Sequence, residues 1–202
     1  MSPVDPDEIR ERLNALNDRE PTLDHSEIRR EWLPDLELTD AAVLIPFTQT
    51  DSGLQVVLTQ RAASLRKHSG EMSFPGGRRD PEDHDLIATA LRESHEEIAL
   101  SPIDVQVYGS LMQMPTVTGY EVTVYVGEFP WPYELIPNPA EIDEIVLAPL
   151  DMLADPDIHR FEMREWDGNT FPIHFFDYGR TEIWGATGFM LDTLLHYLGL
   201  RG

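Results

Sequence analysis

The chain reads as an α+β domain, and three observations carry that reading. Short apolar, β-branched runs stand at strand length, one stretch of three-to-four spacing marks a helix among them, and a diglycine turn joins the two kinds of element. At 202 residues, 41% hydrophobic and 26% charged, the chain is long enough to bury a sizeable core in one domain. It contains no run of about 18 apolar residues and opens on no charged-then-apolar leader, so neither membrane spans nor secretion is expected and the expected location is cytoplasmic.

Taken in order, residues 1–36 read as an N-terminal helical extension packed on a domain of residues 37–202. Ile9, Leu13 and Leu16, spaced at four and three, make residues 5–17 an amphipathic helix behind Pro3 and Pro6. A second short helix is expected over 26–32, where Ser26 can cap it and Pro34 stops it. Residues 41–47 and 54–59 are short strands separated by a polar turn, a hairpin signal. Phe74-Pro75-Gly76-Gly77 then forces a tight turn, because proline fixes φ and the glycines enter backbone regions closed to other residues. The helix over 86–98 turns Ile87, Ala90, Leu91, Ser94 and Ile98 toward the core. Strands follow at 104–114 and 121–129, with Gly119 at their turn, and 130–139 is loop. Residues 161–166 and 171–176 flank the hairpin turn signal Asp167-Gly168, and a helix over 186–198 closes the chain on Met190, Leu191, Leu194, Leu195 and Leu198. Phe175, Phe176, Tyr178 and Trp184 have the size to stack on an adenine, but aromatics at strand spacing are more often core, and none is assigned to a site.

Charge narrows the function. With 37 acids against 15 bases the net charge is −22, which disfavours nucleic acid and anionic membrane as partners. Between residues 61 and 79 the balance reverses: Arg61, Arg66, Lys67, Arg78 and Arg79 share a window in which Glu71 is the only acid. A small anion is the expected ligand there. The chain has no cysteine, so it holds no disulfide, thiolate nucleophile or thiolate metal site, and any metal must take oxygen or histidine ligands.

On the 86–98 helix, Glu93, Glu96 and Glu97 gather within one turn, well round from the apolar stripe. Like charges at this spacing oppose helix stability, so the cluster needs a solvated surface or a compensating cation such as magnesium, which takes carboxylate and carbonyl oxygens. Arg92, four residues before Glu96, is placed to pair with it. The histidines, including His68, His84, His95 and His174, are scattered without the paired spacing of a zinc helix and read as structural or exposed.

Acidic helix faces are ordinary by themselves. The diglycine turn, an acidic loop and Arg-Glu-x-x-Glu-Glu on an amphipathic helix together resemble the Nudix box, with Asp83 as the loop acid. Two departures stand out: Gly77 to Arg92 is one residue longer than usual, and Ala99 stands where a glycine is expected. Upstream, Leu58-Thr59-x-Arg61-Ala62, Arg66, Gly70 and Phe74-Pro75-Gly76-Gly77 resemble the added motif of the coenzyme A pyrophosphatase branch, which tolerates both departures. Val117-Thr118-Gly119-Tyr120, Pro149-Leu150 and Trp184-Gly185-Ala186-Thr187 are similar to that branch too, so the resemblance covers roughly residues 40–198.

The resemblance implies a Nudix α/β/α sandwich, a mixed β-sheet between helices. It implies hydrolysis of the pyrophosphate in coenzyme A or its derivatives, giving 3′,5′-ADP and 4′-phosphopantetheine or its acyl form, with magnesium or manganese as cofactor. Glu93 and Glu97 are the prime metal ligands, Glu96 a further ligand or base, and the Gly77 carbonyl an oxygen donor. Arg92 orients the glutamates. Arg61, Arg66, Lys67, Gly76 and Gly77 bind substrate, and a later acid, Glu141 in preference to Glu144, serves as ligand or base. The partner is the small-molecule substrate; the assembly is left open, a homodimer included. The rival readings are another Nudix hydrolase acting on ADP-ribose or dinucleotides, and a noncatalytic nucleotide-binding module.

Overall fold

The computed structural model describes residues 4–18, 37–63, 70–166, 168–179 and 181–201. The helix expected at 26–32 lies outside the described residues, as do Arg66, Lys67 and His68.

A seven-stranded sheet forms the centre. Strands β1 (Thr39–Thr50) and β2 (Gly53–Arg61) make the expected hairpin, with Thr50 opposite Gly53. β1 reaches three residues past the apolar run because its polar end is still paired: Thr48 is fully buried and its hydroxyl donates to the Phe129 carbonyl at 3.1 Å. The short strands β3 (Met72–Ser73) and β4 (Gly76–Arg78) follow, β3 beside β2 and β4 antiparallel to residues 41–43 of β1. β5 (Gln106–Pro115) and β6 (Tyr120–Glu128) form a second hairpin, and β6 runs parallel to β1, which makes the sheet mixed. Asp104, expected to begin β5, instead ends a 3₁₀ turn over residues 102–104. β7 (Ile142–Pro149) pairs antiparallel with β2. The strand order is β3-β2-β1-β6-β5, with β4 on β1 and β7 on β2.

Helices close both faces. On one side Ala42, Leu44 and Val57 pack with Ala90 and Ile98 of α2 (Leu86–Ile98). On the other, Ala41, Ile45, Phe47, Val56 and Leu58 pack with Ile9 and Leu13 of α1 (Pro6–Asn14) and with the later helix α4 (Gly185–Tyr197). Between β7 and α4 comes the single-turn helix α3 (Leu150–Leu153). Because β1 is covered on both faces, its sequence is a continuous apolar run and not an alternating one. Each fully buried leucine or isoleucine in this sandwich contributes about 1.5–3 kcal/mol. α1 is also tied by charge: the Arg10 guanidinium reaches Glu128 on β6 at 2.7 Å, and Glu128 accepts from the Tyr108 hydroxyl of β5. Among the described residues no helix is long and apolar enough to cross a membrane.

Beyond β7 stands a separate three-stranded antiparallel sheet of β8 (His159–Trp166), β9 (Asn169–Tyr178) and β10 (Thr181–Trp184), in the order β10-β9-β8. The Asp167-Gly168 signal marks its first turn, and Gly168 takes a left-handed φ of 80°. Phe175 and Phe176 are buried, whereas Trp184 is 43% exposed and stacks on Phe175 at a 7° interplanar angle.

Candidate active site

The site begins where β4 meets α2. Gly77 faces the Glu93 side chain so closely that a Cβ there would lie 2.6 Å from the carboxylate carbon. Gly76, with φ of +156°, would put a Cβ 2.4 Å from the Ala42 carbonyl oxygen of β1. The diglycine therefore does two things: Gly76 seats the strand, and Gly77 lets the backbone approach the first acid of the helix. α2 starts on Asp85, whose carboxylate accepts from the Ala88 amide at 2.7 Å, and ends on Ala99 in the left-handed region at φ 57°. The missing glycine has not changed the cap; alanine adopts the same conformation at a cost of roughly 1–2 kcal/mol.

Arg92 is the hub. Its Nε and Nη2 donate to the two oxygens of Asp83, both at 3.0 Å, while Nη1 donates to Glu93 at 2.9 Å and Glu96 at 3.0 Å. Nη2 also reaches the Arg78 carbonyl at 3.1 Å. The expected pairing with Glu96 is thus one arm of a larger clamp. Asp83 anchors that clamp: it accepts from the Asp80 amide and the Thr89 hydroxyl, each at 2.9 Å, and the Arg92 guanidinium holds its carboxyl far below the usual carboxylate range. Asp83 in turn raises the proton affinity of Arg92.

The three glutamates do not share one solvated face. Glu96 is 54% exposed, Glu93 16%, and Glu97 only 3%. Helical spacing sets their arc; Glu97 alone of the three accepts from the Gly76 backbone of β4 and lies in the field of Arg61. Burial pushes the Glu97 carboxyl up to about 8, against the pull of Arg61, and Glu93 and Glu141 push it the same way. Glu93 is also raised, chiefly by burial. Glu97 Oε2 is buried without a hydrogen-bond partner, and so is Arg61 Nε. Arg61 sits at the register shift between β2 and β7, and the Glu141 carbonyl accepts from the next amide, Ala62, at 2.7 Å. The structure therefore brings Arg61, Glu93, Glu97 and Glu141 into one field. The Gly70 amide donates to the Arg61 carbonyl and the Arg61 amide to the Glu71 carbonyl, each at 3.0 Å.

A hard divalent cation fits these residues. The donors are carboxylates and a backbone carbonyl, Glu97 offers a buried oxygen without a partner, and the space a Cβ would fill at Gly77 opens against Glu93. Arg92 holds Glu93 and Glu96, and the acids do not close into a set with all ligand atoms within 4.8 Å. Among the described residues the set that does close is His159, His174 and Asp192 on the second sheet and α4. The expectation of scattered histidines is corrected there.

Residues 38–171 match the NUDIX domain family. The chain belongs to the Nudix family. Nudix hydrolase 15, mitochondrial, of Arabidopsis thaliana is 40% identical over 158 residues, covering 75% of this chain. The chain spans only 55% of that plant relative's length. The peroxisomal coenzyme A diphosphatase NUDT7 of Mus musculus is 32% identical over 167 residues, 83% of this chain and 70% of the relative. Among solved structures, a MutT/nudix family protein from Enterococcus faecalis superposes with a TM-score of 0.51 at 14% identity, over 94% of this chain and 74% of that one. That likeness concerns the fold. Nudix hydrolases generally need divalent metal ions, which agrees with the oxygen-rich donor set around Glu97.

A pH dependence follows from Glu97. Its folded value of about 8 lies above the ordinary 4.5, so between those values the native state holds a proton that the unfolded chain has released. Glu97's contribution to the stability of the metal-free protein therefore falls as pH rises from about 4.5 to about 8 and then levels off, while buried His159, held down to about 4, works the opposite way below its ordinary 6.5. Magnesium, which needs the carboxylate, should bind more tightly across the same window. Urea titrations of the parent chain and of Glu97→Gln at several pH values, with and without magnesium, check this; a metal-free stability difference between the two that stays flat over the window, or that moves in favour of the parent as pH rises, contradicts it.

Proposed function

We propose that this chain is a metal-dependent diphosphatase of coenzyme A or its derivatives, releasing 3′,5′-ADP and 4′-phosphopantetheine or its acyl form. The observation that carries the coenzyme A reading is the basic motif from Leu58 to Gly77, whose Arg61 lies close enough to Glu97 to pull on its carboxyl. The mouse relative's activity supports the same reading.

In this reading water adds to one phosphorus, the bridging P–O bond breaks, and a proton leaves the water. Glu93 and Glu97, with Glu96 and the Gly77 carbonyl, hold magnesium or manganese, which neutralises charge on the phosphate oxygens and acidifies water when bound. Arg92, fixed by Asp83, keeps Glu93 and Glu96 oriented. Glu141 stands close enough to raise the proton affinity of Glu97 and is the residue we assign to take the water's proton. Arg61, deep in the site, contacts the pyrophosphate. A cytoplasmic location completes the proposal.

Coenzyme A differs from most Nudix substrates in its 3′-phosphate, and arginine offers a planar fork for a phosphate dianion. Arg66→Ala is expected to raise KM for coenzyme A by about tenfold or more, a loss of at least about 1.4 kcal/mol, and barely to change KM for dephospho-coenzyme A. Equal losses on both substrates would place Arg66 on the pyrophosphate. No loss on either would remove it from the site.

A further inference from the structure

We propose that His159, His174 and Asp192 form a second metal site, for zinc or a similar borderline transition metal, that staples the β8–β9 hairpin to α4. The inference is independent of the coenzyme A reading. His159 opens β8, and His174 lies one diagonal step away across the hairpin, since His159 pairs with Phe176 and Phe161 with His174. Asp192 rises from α4. His159 Nε2 and His174 Nδ1 are 3.0 Å apart, and each is 3.5 Å from Asp192 Oδ1.

These three atoms form a nearly equilateral triangle of metal-ligand size. Nitrogen and oxygen ligands stand about 2.0–2.2 Å from tetrahedral zinc, which sets them roughly 3.3 Å from one another. The triangle matches one face of that sphere, and the fourth position is left for water. Imidazole and carboxylate together select zinc and its neighbours over magnesium.

The surroundings are built to hold the ligands. All three side chains are nearly buried. The His159 ring lies against Phe176, with centroids 4.8 Å apart, and the His174 ring has Phe161 and Phe189 beside it at 6.3 and 6.0 Å. Asp192 Oδ2 faces His196 Nδ1 at 3.3 Å, the outer contact that orients a ligating carboxylate. Two contacts compete: His159 Nε2 and His174 Nδ1 share a hydrogen bond whose proton the metal must displace, and the Arg201 guanidinium donates to Asp192 Oδ1 at 3.1 Å and lies 5.3 Å from the Phe176 ring centroid. Metal and Arg201 are alternative cations for the same oxygen, so the metal moves the arginine off Oδ1.

The test uses the full chain, stripped of metal by chelation and dialysed into excess magnesium to saturate the oxygen site around Glu97. Cobalt(II) is titrated first, and the visible absorption of tetrahedral cobalt is expected to saturate at one ion per chain. The signal should survive Glu97→Gln and vanish in the His159→Ala, His174→Ala double variant. Zinc at about a hundred times its Kd should raise the melting temperature by about 5 °C or more. Arg201→Gln should tighten zinc binding by removing the competitor. No saturable tetrahedral signal in the parent chain, or the same signal in the double histidine variant, would overturn the site. Unchanged or weaker binding in Arg201→Gln would overturn the competition. Should the double variant not fold, imidazole nitrogen NMR of the parent chain decides: one equivalent of zinc must shift His159 and His174 together, and unshifted rings overturn the proposal. Failure here leaves pyrophosphate hydrolysis untouched, because that activity is read with magnesium alone.

Discussion

Glu97→Gln is expected to lower kcat by about 10³-fold or more while leaving the fold intact. Glu97 is the most buried acid of α2, and one of its oxygens has no hydrogen-bond partner. Glutamine is nearly isosteric and resembles the protonated glutamate that the metal-free protein holds up to about pH 8. The substitution therefore spares the packing and removes an anionic ligand. Metal-ion catalysis supplies several kcal/mol of charge stabilisation, and about 4 kcal/mol corresponds to the expected factor. Steady-state turnover with magnesium, beside a urea melt of the same preparation, makes the measurement. A fully active, metal-dependent Glu97→Gln protein would remove Glu97 from the machinery.

Asp83→Ala is expected to destabilise the chain by about 1.5–3 kcal/mol and to lower turnover as well. Asp83 is nearly buried and accepts from four donors: the Asp80 amide, the Thr89 hydroxyl and two nitrogens of Arg92. Deleting it leaves the Thr89 hydroxyl with the Asp85 carbonyl and Arg92 Nη2 with the Arg78 carbonyl, takes the side-chain acceptor from the Asp80 amide and Arg92 Nε, and unpins one side of the guanidinium that carries Glu93 and Glu96. Asp83→Asn separates the two effects, because it retains acceptor geometry in the loop but loses the charge facing Arg92. Denaturant midpoints and kcat for the two variants provide the check. If both melt and turn over like the parent chain, Arg92 is positioned by something else.

What was legible in the sequence was what local periodicity controls. The span of α2 and its apolar stripe follow from the spacing of Ile87, Ala90, Leu91, Ser94 and Ile98, and the structure bounds the helix at Leu86–Ile98. The burial of Glu97 was not legible, because the groups beside it, Arg61 of β2, Gly76 of β4 and Glu141, come from elements far from it in the chain. Spacing put Glu97 on an arc with Glu93 but did not show what covers that arc. Asp83 was seen as a loop acid; its grip on Arg92 depends on how the turn at residues 80–85 folds back on the helix. β10 has only four residues, too few for an alternating pattern, and it forms against β9 after the Gly179 turn. β7 was obscured by Asp143 and Glu144, which are exposed on a strand whose later residues are apolar. The histidine pair had a usable signal: counting outward from the Asp167-Gly168 turn places His159 and His174 one diagonal step apart on one face. Asp192 had none, since only the packing of α4 on the second sheet brings it there.

The central claim is best tested by which pyrophosphate the purified chain cleaves. Coenzyme A, acetyl-coenzyme A, ADP-ribose, NADH and diadenosine polyphosphates, each incubated with magnesium and with manganese, can be followed by mass spectrometry of the products. The expected result is the highest kcat/KM on coenzyme A or its acyl form, with 3′,5′-ADP and the matching phosphopantetheine released in equal amounts and no turnover after chelation. Preference for ADP-ribose or a dinucleotide, or no metal-dependent turnover of any substrate, would contradict it.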